Sequence, residues 1–315
     1  TDNITSVGST VFTKGNSTST SDNSSSSSSS ANPEVFVAVG NNGNVIRSTD
    51  NGTTWDNATS ETGNAFYGVT YGNNTFVGVA INGNALRSTD NGSTWDNATS
   101  PTSNHLFSVT FGNNSFVAVG SSGNIVRSTD NGSTWDNATS PTAIQLNTVA
   151  FGNDIFVAVG NSGTIVKSTN NGSSFDNVTS PTANRINGVT FGNNTFVAVG
   201  VSGNIVRSLD NGTTWDNVTS PTTITVREVS FGNDIFVAVG SSGIIVRSTD
   251  NGTSWDNATS PTGGLLMGMG FGNNTFVAVG NDGNLIRSTD NGTTFDNVTN
   301  HPVVNGQFMD VAFSE

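Results

Sequence analysis

The sequence predicts an all-β fold, a seven-bladed β-propeller of four-stranded antiparallel blades closed by its C-terminal strand. A further N-terminal strand on a Ser-rich linker precedes the ring. Three observations carry this prediction. The pentad Phe-Val-Ala-Val-Gly, or a close variant, begins at Phe36, Phe76, Phe116, Phe156, Phe196, Phe236 and Phe276, 40 residues apart without insertion or deletion. A period of about 40–45 residues holding several short strands is the mark of a propeller blade. Finally, the first repeat lacks one strand, and the last residues of the chain resemble it.

The unit running from Tyr67 to Pro101 shows the elements in order. Gly68-Val69-Thr70-Tyr71 alternates and ends in Gly72-Asn73-Asn74, a turn sequence that tolerates positive φ. Thr75-Phe76-Val77-Gly78-Val79 is almost continuously apolar, as a strand packed on both faces requires. Asn82-Gly83 makes the next turn, and Ala85-Leu86-Arg87-Ser88 makes the third strand. After a tight Asp90-Asn91-Gly92 turn, Thr94-Trp95-Asp96-Asn97-Ala98-Thr99 makes the fourth. Hairpins joining four such strands build one blade.

The first repeat starts directly at Val35 and has no Val-Thr-Phe-Gly strand before it. Phe308-Met309-Asp310-Val311-Ala312-Phe313 resembles the missing piece, so the C-terminus is expected to supply the innermost strand of the first blade. Such a splice removes open sheet edges. The chain therefore divides into residues 1–15, an arm; 16–32, a Ser-rich linker; and 33–315, the propeller.

Composition narrows the function classes. A net charge of −13 with only 10 Lys and Arg argues against nucleic acid, which needs clustered cations. The absence of Cys excludes disulfides, thiolate metal sites and cysteine nucleophiles. No run approaches the ~20 apolar residues of a membrane span. No cofactor is implied. The chain begins at Thr1, as a mature secreted protein does after loss of a signal peptide, and an extracellular location is expected.

The turn Ser48-Thr49-Asp50-Asn51-Gly52-Thr53-Thr54-Trp55 returns in every repeat, with Asp90, Asp130, Asp210, Asp250 and Asp290 at the acidic position and Asn170 in one copy. It resembles the Asp box of the bacterial-neuraminidase-repeat superfamily. With the preceding Gly-x-Ile-Val-Arg-Ser it is also similar to propellers of the photosystem II assembly-factor type. The resemblance covers all seven repeats, and it implies a structural role for the turn. Asp50 is suited to accept backbone N–H groups, Gly52 to supply positive φ and Trp55 to pack between blades.

A sialidase needs an arginine triad, a tyrosine nucleophile with a glutamate partner, and a separate acid. The only tyrosines, Tyr67 and Tyr71, lie in one repeat. Arg47, Arg87, Arg127, Arg207, Arg247 and Arg287, with Lys167, occupy one repeated position and form a ring, which leaves Arg185 and Arg227 as the only other arginines. Glu228 beside Arg227 reads as a solvated ion pair. His105 and His301 are the only histidines, too few for a metal site. A non-enzymatic protein is expected.

Asn-x-Ser/Thr acceptors are dense. Asn57, Asn97, Asn137, Asn177, Asn217, Asn257 and Asn297 form a ring on the fourth strand or its exit. A hairpin set comprises Asn73, Asn113, Asn193 and Asn273, and Asn3, Asn16 and Asn23 lie in the N-terminal region. These are read as glycan acceptors, conditional on secretion. The set in the Asp-box turn, Asn51 and its equivalents, has little room for a glycan.

Residues 1–15 carry strand-forming Ile4, Val7, Val11 and Phe12, and the serine tract Ser24–Ser30 lies in the tether behind them. A strand on a tether can add to a neighbouring subunit, and a non-closing addition makes a filament. The leading expectation is a secreted, glycosylated structural protein that polymerises with itself through this arm. The alternatives are a lectin-like carbohydrate-binding propeller and an assembly-factor-like protein-interaction propeller.

Overall fold

The computed structural model describes residues 34–60, 62–303 and 306–314. The arm residues Ile4, Val7, Val11 and Phe12, the linker, and Asn3, Asn16 and Asn23 lie outside the described residues.

Each blade repeats one antiparallel meander. In blade 2 the strands from the inside outward are Phe66–Gly72, Thr75–Ala80, Ala85–Ser88 and Thr94–Ala98. The register pairs Tyr71 with Phe76, Phe76 with Ser88 and Leu86 with Asn97. Asn73 and Asn74 at the first hairpin have φ of 48° and 56°, the left-handed conformation that Asn tolerates. Asn82, in the next connection, has φ of 58° within a single 3₁₀ turn.

The second strand explains how blades hold one another. All six residues of Thr75–Ala80 are buried. Phe76 packs with Val35, Val37 and Val39 of blade 1, whereas Val77 and Val79 pack with Phe116, Ala118 and Trp135 of blade 3. The two-residue period of a strand thus divides one apolar run between two interfaces. No blade owns a core of its own.

The C-terminus closes the ring as expected. Phe308–Ser314 is the innermost strand of blade 1 and pairs antiparallel with Val35–Gly40, with Val37 opposite Ala312. The Val35 N–H donates to Ser314 Oγ at 2.8 Å. Phe36, Ile46, Trp55 and Phe308 then share a core with Val277 and Val279 of blade 7.

The outermost strands are shorter than the sequence suggests, shrinking to Asp56–Asn57 in blade 1. The reason is a competing backbone partner. The Trp55 N–H donates to Asn300 O of blade 7, and the Trp135 N–H to Thr99 O of blade 2. In blade 2 the same contact grows into a fifth strand, Thr59–Ser60, lying parallel to Thr94–Ala98. Among the described residues no helix is long and apolar enough to cross a membrane.

Candidate binding face and central channel

Antiparallel meanders place the first hairpin and the Ser-x-Asp-x-Gly turn on one face of the ring. The 3₁₀ turn and the connection to the next blade lie on the other. The two faces are built differently.

On the first face nearly every polar side chain has an internal task. Ser128 Oγ donates to Asp130 Oδ1 at 2.8 Å and accepts the Gly132 N–H at 3.0 Å. Asp130 also accepts the Thr134 N–H and hydroxyl at 2.9 and 2.6 Å. Gly132, at φ of 77°, turns its carbonyl to the Trp135 indole N–H at 3.2 Å. Asp50, Asp90, Asp210, Asp250 and Asp290 make the same bonds. Bonds from Thr214, its backbone N–H foremost, hold the Asp210 carboxyl down at about 2, and the Ser254 hydroxyl and N–H do the same for Asp250. In blade 4 Asn170 Nδ2 donates to Ser174 Oγ at 2.8 Å, so the amide reverses one bond and keeps the geometry.

The same turn staples adjacent blades. Asn131 Nδ2 donates to Thr75 Oγ1 of blade 2 at 2.5 Å, and Asn251 repeats this with Thr195 at 2.7 Å. The ring of cations reaches the opposite way: Arg127 Nε donates to Asn171 O at 2.6 Å and Arg207 Nη1 to Thr253 Oγ1 at 2.6 Å. Arg87, Arg127, Lys167, Arg207 and Arg287 are therefore committed to the scaffold, as are the Asn51, Asn131, Asn171 and Asn251 amides, while Arg47 and Arg247 keep a buried Nε without a partner.

The remaining acceptor candidates divide by position. Asn57, Asn97, Asn137, Asn177, Asn217, Asn257 and Asn297 are exposed on the outer rim. Asn73, Asn113, Asn193 and Asn273 are exposed at hairpin tips, but the third residue of each sequon (Thr75, Ser115, Thr195 and Thr275) is buried.

The opposite face carries the differences between blades. Six successive positions, 63–68 in blade 2 and their equivalents such as 103–108 and 223–228, change in almost every copy. They place half-exposed Tyr67, Phe107, Arg227, Met267 and Met309 around the ring, with exposed His105 beside them. Tyr67 and Phe107 meet edge-on with ring centres 5.3 Å apart. Ile144 and Ile224 are 41% and 38% exposed on the same connections. Arg185 is held by Asn187, whose Nδ2 donates to Val226 O at 2.7 Å. Arg185 is the charged neighbour of Arg227, and the Arg227 Nε is buried without a partner.

Just inside this face the innermost strands enclose a cavity of about 300 Å3 along the axis. Third-position residues Ser108, Thr148, Glu228 and Asp310 line its mouth, and two of them, Glu228 and Asp310, are acidic. Asp310 Oδ2 accepts the Val69 N–H of blade 2 at 2.9 Å and Oδ1 the Val311 N–H at 2.8 Å. Glu228 Oε1 accepts the Val229 N–H at 3.0 Å. The channel wall surrounds both carboxyls, although each residue keeps some surface toward the channel. Burial pushes Asp310 up to about 7 and Glu228 well above its usual range, and the Asp310 charge raises Glu228 further.

This corrects the reading of Glu228 as half of a solvated pair with Arg227. The strand register shifts between Val226 and Glu228, Glu228 Oε1 takes the Val229 N–H, and the charged group beside Arg227 is Arg185.

A second cavity of about 350 Å3 lies in blade 7, lined by Thr262, Asp282, Asn284, Asn297 and His301. The His301 Nδ1 is buried there without a partner. Among the described residues no three His, Asp or Glu side chains gather where they could hold a metal ion.

A family model described as the DUF6242 beta propeller domain matches residues 142–257. No curated protein matches the chain. Among solved structures, YCF48 bound to D1 peptide is similar at 18% identity and a TM-score of 0.64, covering 80% of this chain and 86% of that one. YCF48 from Cyanidioschyzon merolae is similar at 18% identity, TM-score 0.58, over 74% and 84%. The WD40 beta propeller domain of Doa1 follows at 12% identity, TM-score 0.63, over 80% and 93%. These likenesses show a shared fold.

Proposed function

We propose that this chain is a protein-binding propeller that presents its variable face to a segment of another protein. One observation carries the reading: seven otherwise near-identical blades concentrate their differences at the positions around one face and the channel mouth. A scaffold alone has no use for such differences, while a partner that reads a surface does. YCF48 bound to D1 peptide is an example of a peptide complex on this fold, and the Doa1 domain belongs to the same architecture. The face carries half-exposed aromatic, arginine and methionine side chains, types enriched at interfaces. We read the protein as a binding module and not an enzyme. A lectin with seven equivalent sites needs the repeated face, where the side chains are already bonded between blades.

The test is selection of displayed random peptides on the full chain. Binders are expected to be lost with Tyr67→Ser and Phe107→Ser and kept with Asn113→Ser on the opposite face. Binders indifferent to both rim variants overturn the reading.

The exposed ring from Asn57 to Asn297 favours a second, compatible property, an N-glycan coat on a secreted chain. Intact-mass measurement of the native protein before and after glycosidase checks it, and an unchanged mass rejects it. Self-assembly through residues 1–15 belongs to the same reading. Deleting them should leave folded monomers, and filaments that survive the deletion exclude the arm.

A further inference from the structure

We propose that the channel mouth receives a lysine or arginine side chain from an exposed segment of the partner protein, with Glu228 and Asp310 as its counter-ions. This rests on the variable face being the binding surface and adds the chemistry that the partner brings.

Around the mouth the seven third-position residues run Asp310, Gly68, Ser108, Thr148, Gly188, Glu228 and Gly268 from blade 1 to blade 7. Both charges in this ring are negative, and they stand at one level with only the glycine blade 7 between them. Gly188 is needed beside Glu228, because a Cβ there would lie 2.9 Å from Glu228 Oε1. The backbone N–H groups of Val69, Val229 and Val311 fix the carboxyls in place. None of those bonds supplies a positive charge.

Two like charges enclosed at one level oppose folding, since burial disfavours ionisation of both and the Asp310 charge disfavours that of Glu228. Burial is the main cause of the raised Asp310 and Glu228 carboxyls, and the Asp310 charge adds to the shift of Glu228. Arg227 does not serve, because its charged neighbour is Arg185 and not either acid. A cation from outside would convert the repulsion into two charge-assisted bonds.

The walls favour an organic cation on a stem. Below the acids the channel presents Val69, Thr70, Val109 and Thr110, then the aromatic collar that includes Tyr71 and Phe151. The Val69, Val109 and Tyr71 surfaces can pack an aliphatic stem, and the Thr70 and Thr110 hydroxyls can meet its polar end. The rim of Tyr67, Phe107, Met267 and Met309 is where flanking apolar residues of the segment would lie.

The experiment is a random heptapeptide selection on the full chain, followed by affinity measurement with one selected synthetic peptide. Lysine or arginine should be enriched at one fixed position. Affinity should fall roughly 10- to 100-fold in the Glu228→Gln, Asp310→Asn double variant, or on replacing the basic residue by norleucine. The melting temperature of that variant at pH 7.4 (a chosen condition, about the middle of the physiological range) should be unchanged or higher, which separates lost binding from lost folding. Rim-dependent binders without a basic position, or unchanged affinity in the double variant, overturn the inference and leave the variable face as the binding surface. Calcium binding abolished by the same double variant would reassign the acids to a metal and also overturn it. Binders that ignore the rim remove both readings.

Discussion

The two faces of the ring come from the same repeat and have opposite uses for it. On the hairpin face Ser128, Asp130, Asn131 and Arg127 all bond within the turn or across to the next blade, so each side chain is fixed by partners on both sides. On the opposite face Ile144 stands on a connection, and Tyr67, Phe107 and Met267 stand second in the innermost strands, where the backbone supplies bonds such as the Ser121 N–H to His105 O. Side chains there differ more because only some of them, such as Asn147 and Asn187, bond to the next blade. Uniformity marks the positions that hold the ring together, and variation marks those available for recognition.

The sharpest way to break this comparison is to truncate equivalent bulk on each side of it. Trp95 is 1% exposed in a core shared by blades 1 and 2, so Trp95→Ala should cost about 3–5 kcal/mol in denaturant unfolding. The half-exposed Phe107→Ala should cost much less. Equal losses would mean that the variable face is scaffold too.

Next in size is Ser128→Ala, which leaves the buried Gly132 N–H without an acceptor and should cost about 1–3 kcal/mol by the same assay.

The acids separate the two regions by pH. Asp210 and Asp250 ionise at about 2 when folded, so their stabilisation is present above the ordinary carboxylate range and is lost as pH falls from about 4 toward 2. Asp310, at about 7, acts in the other direction: its penalty is absent at low pH, grows as pH rises from about 4 to 7, and is constant above. Asp310→Asn should therefore raise the melting temperature by a few degrees at about pH 8 and leave it nearly unchanged near pH 4. A uniform shift at both pH values would place the carboxyl in water instead of the channel wall.

The smallest expected effect is Asp210→Asn, below about 1 kcal/mol at neutral pH, because blade 4 already folds with Asn170 in that place. A large loss would show that the charge, and not the geometry, secures the turn.

Much of this was legible in the sequence. The 40-residue period gave seven blades, and the mismatch between Val35 and Phe308 gave the closure. The structural reading of Asp50, Gly52 and Trp55 followed from residue types that leave few other conformations. What escaped was relational. Arg185 and Arg227 belong to different repeats, 42 positions apart, and only ring geometry makes them neighbours. Glu228 and Asp310 meet because the closing strand arrives from the far end of the chain. The short outer strands escaped because Trp55 and Trp135 give their N–H groups to the preceding blade, a choice no local pattern encodes.

The closing strand also sets an order in time. Residues 308–314 leave the ribosome after every other strand of the ring, yet they complete the blade that was started first. Until then Val35–Gly40 offers an unpaired edge and Phe36 lacks Phe313, whose ring centre lies 4.6 Å away in the closed ring. Closure of the ring is therefore a single docking event that certifies all seven blades at once, since a miscounted or misfolded blade would leave Phe308–Ser314 out of reach of its place.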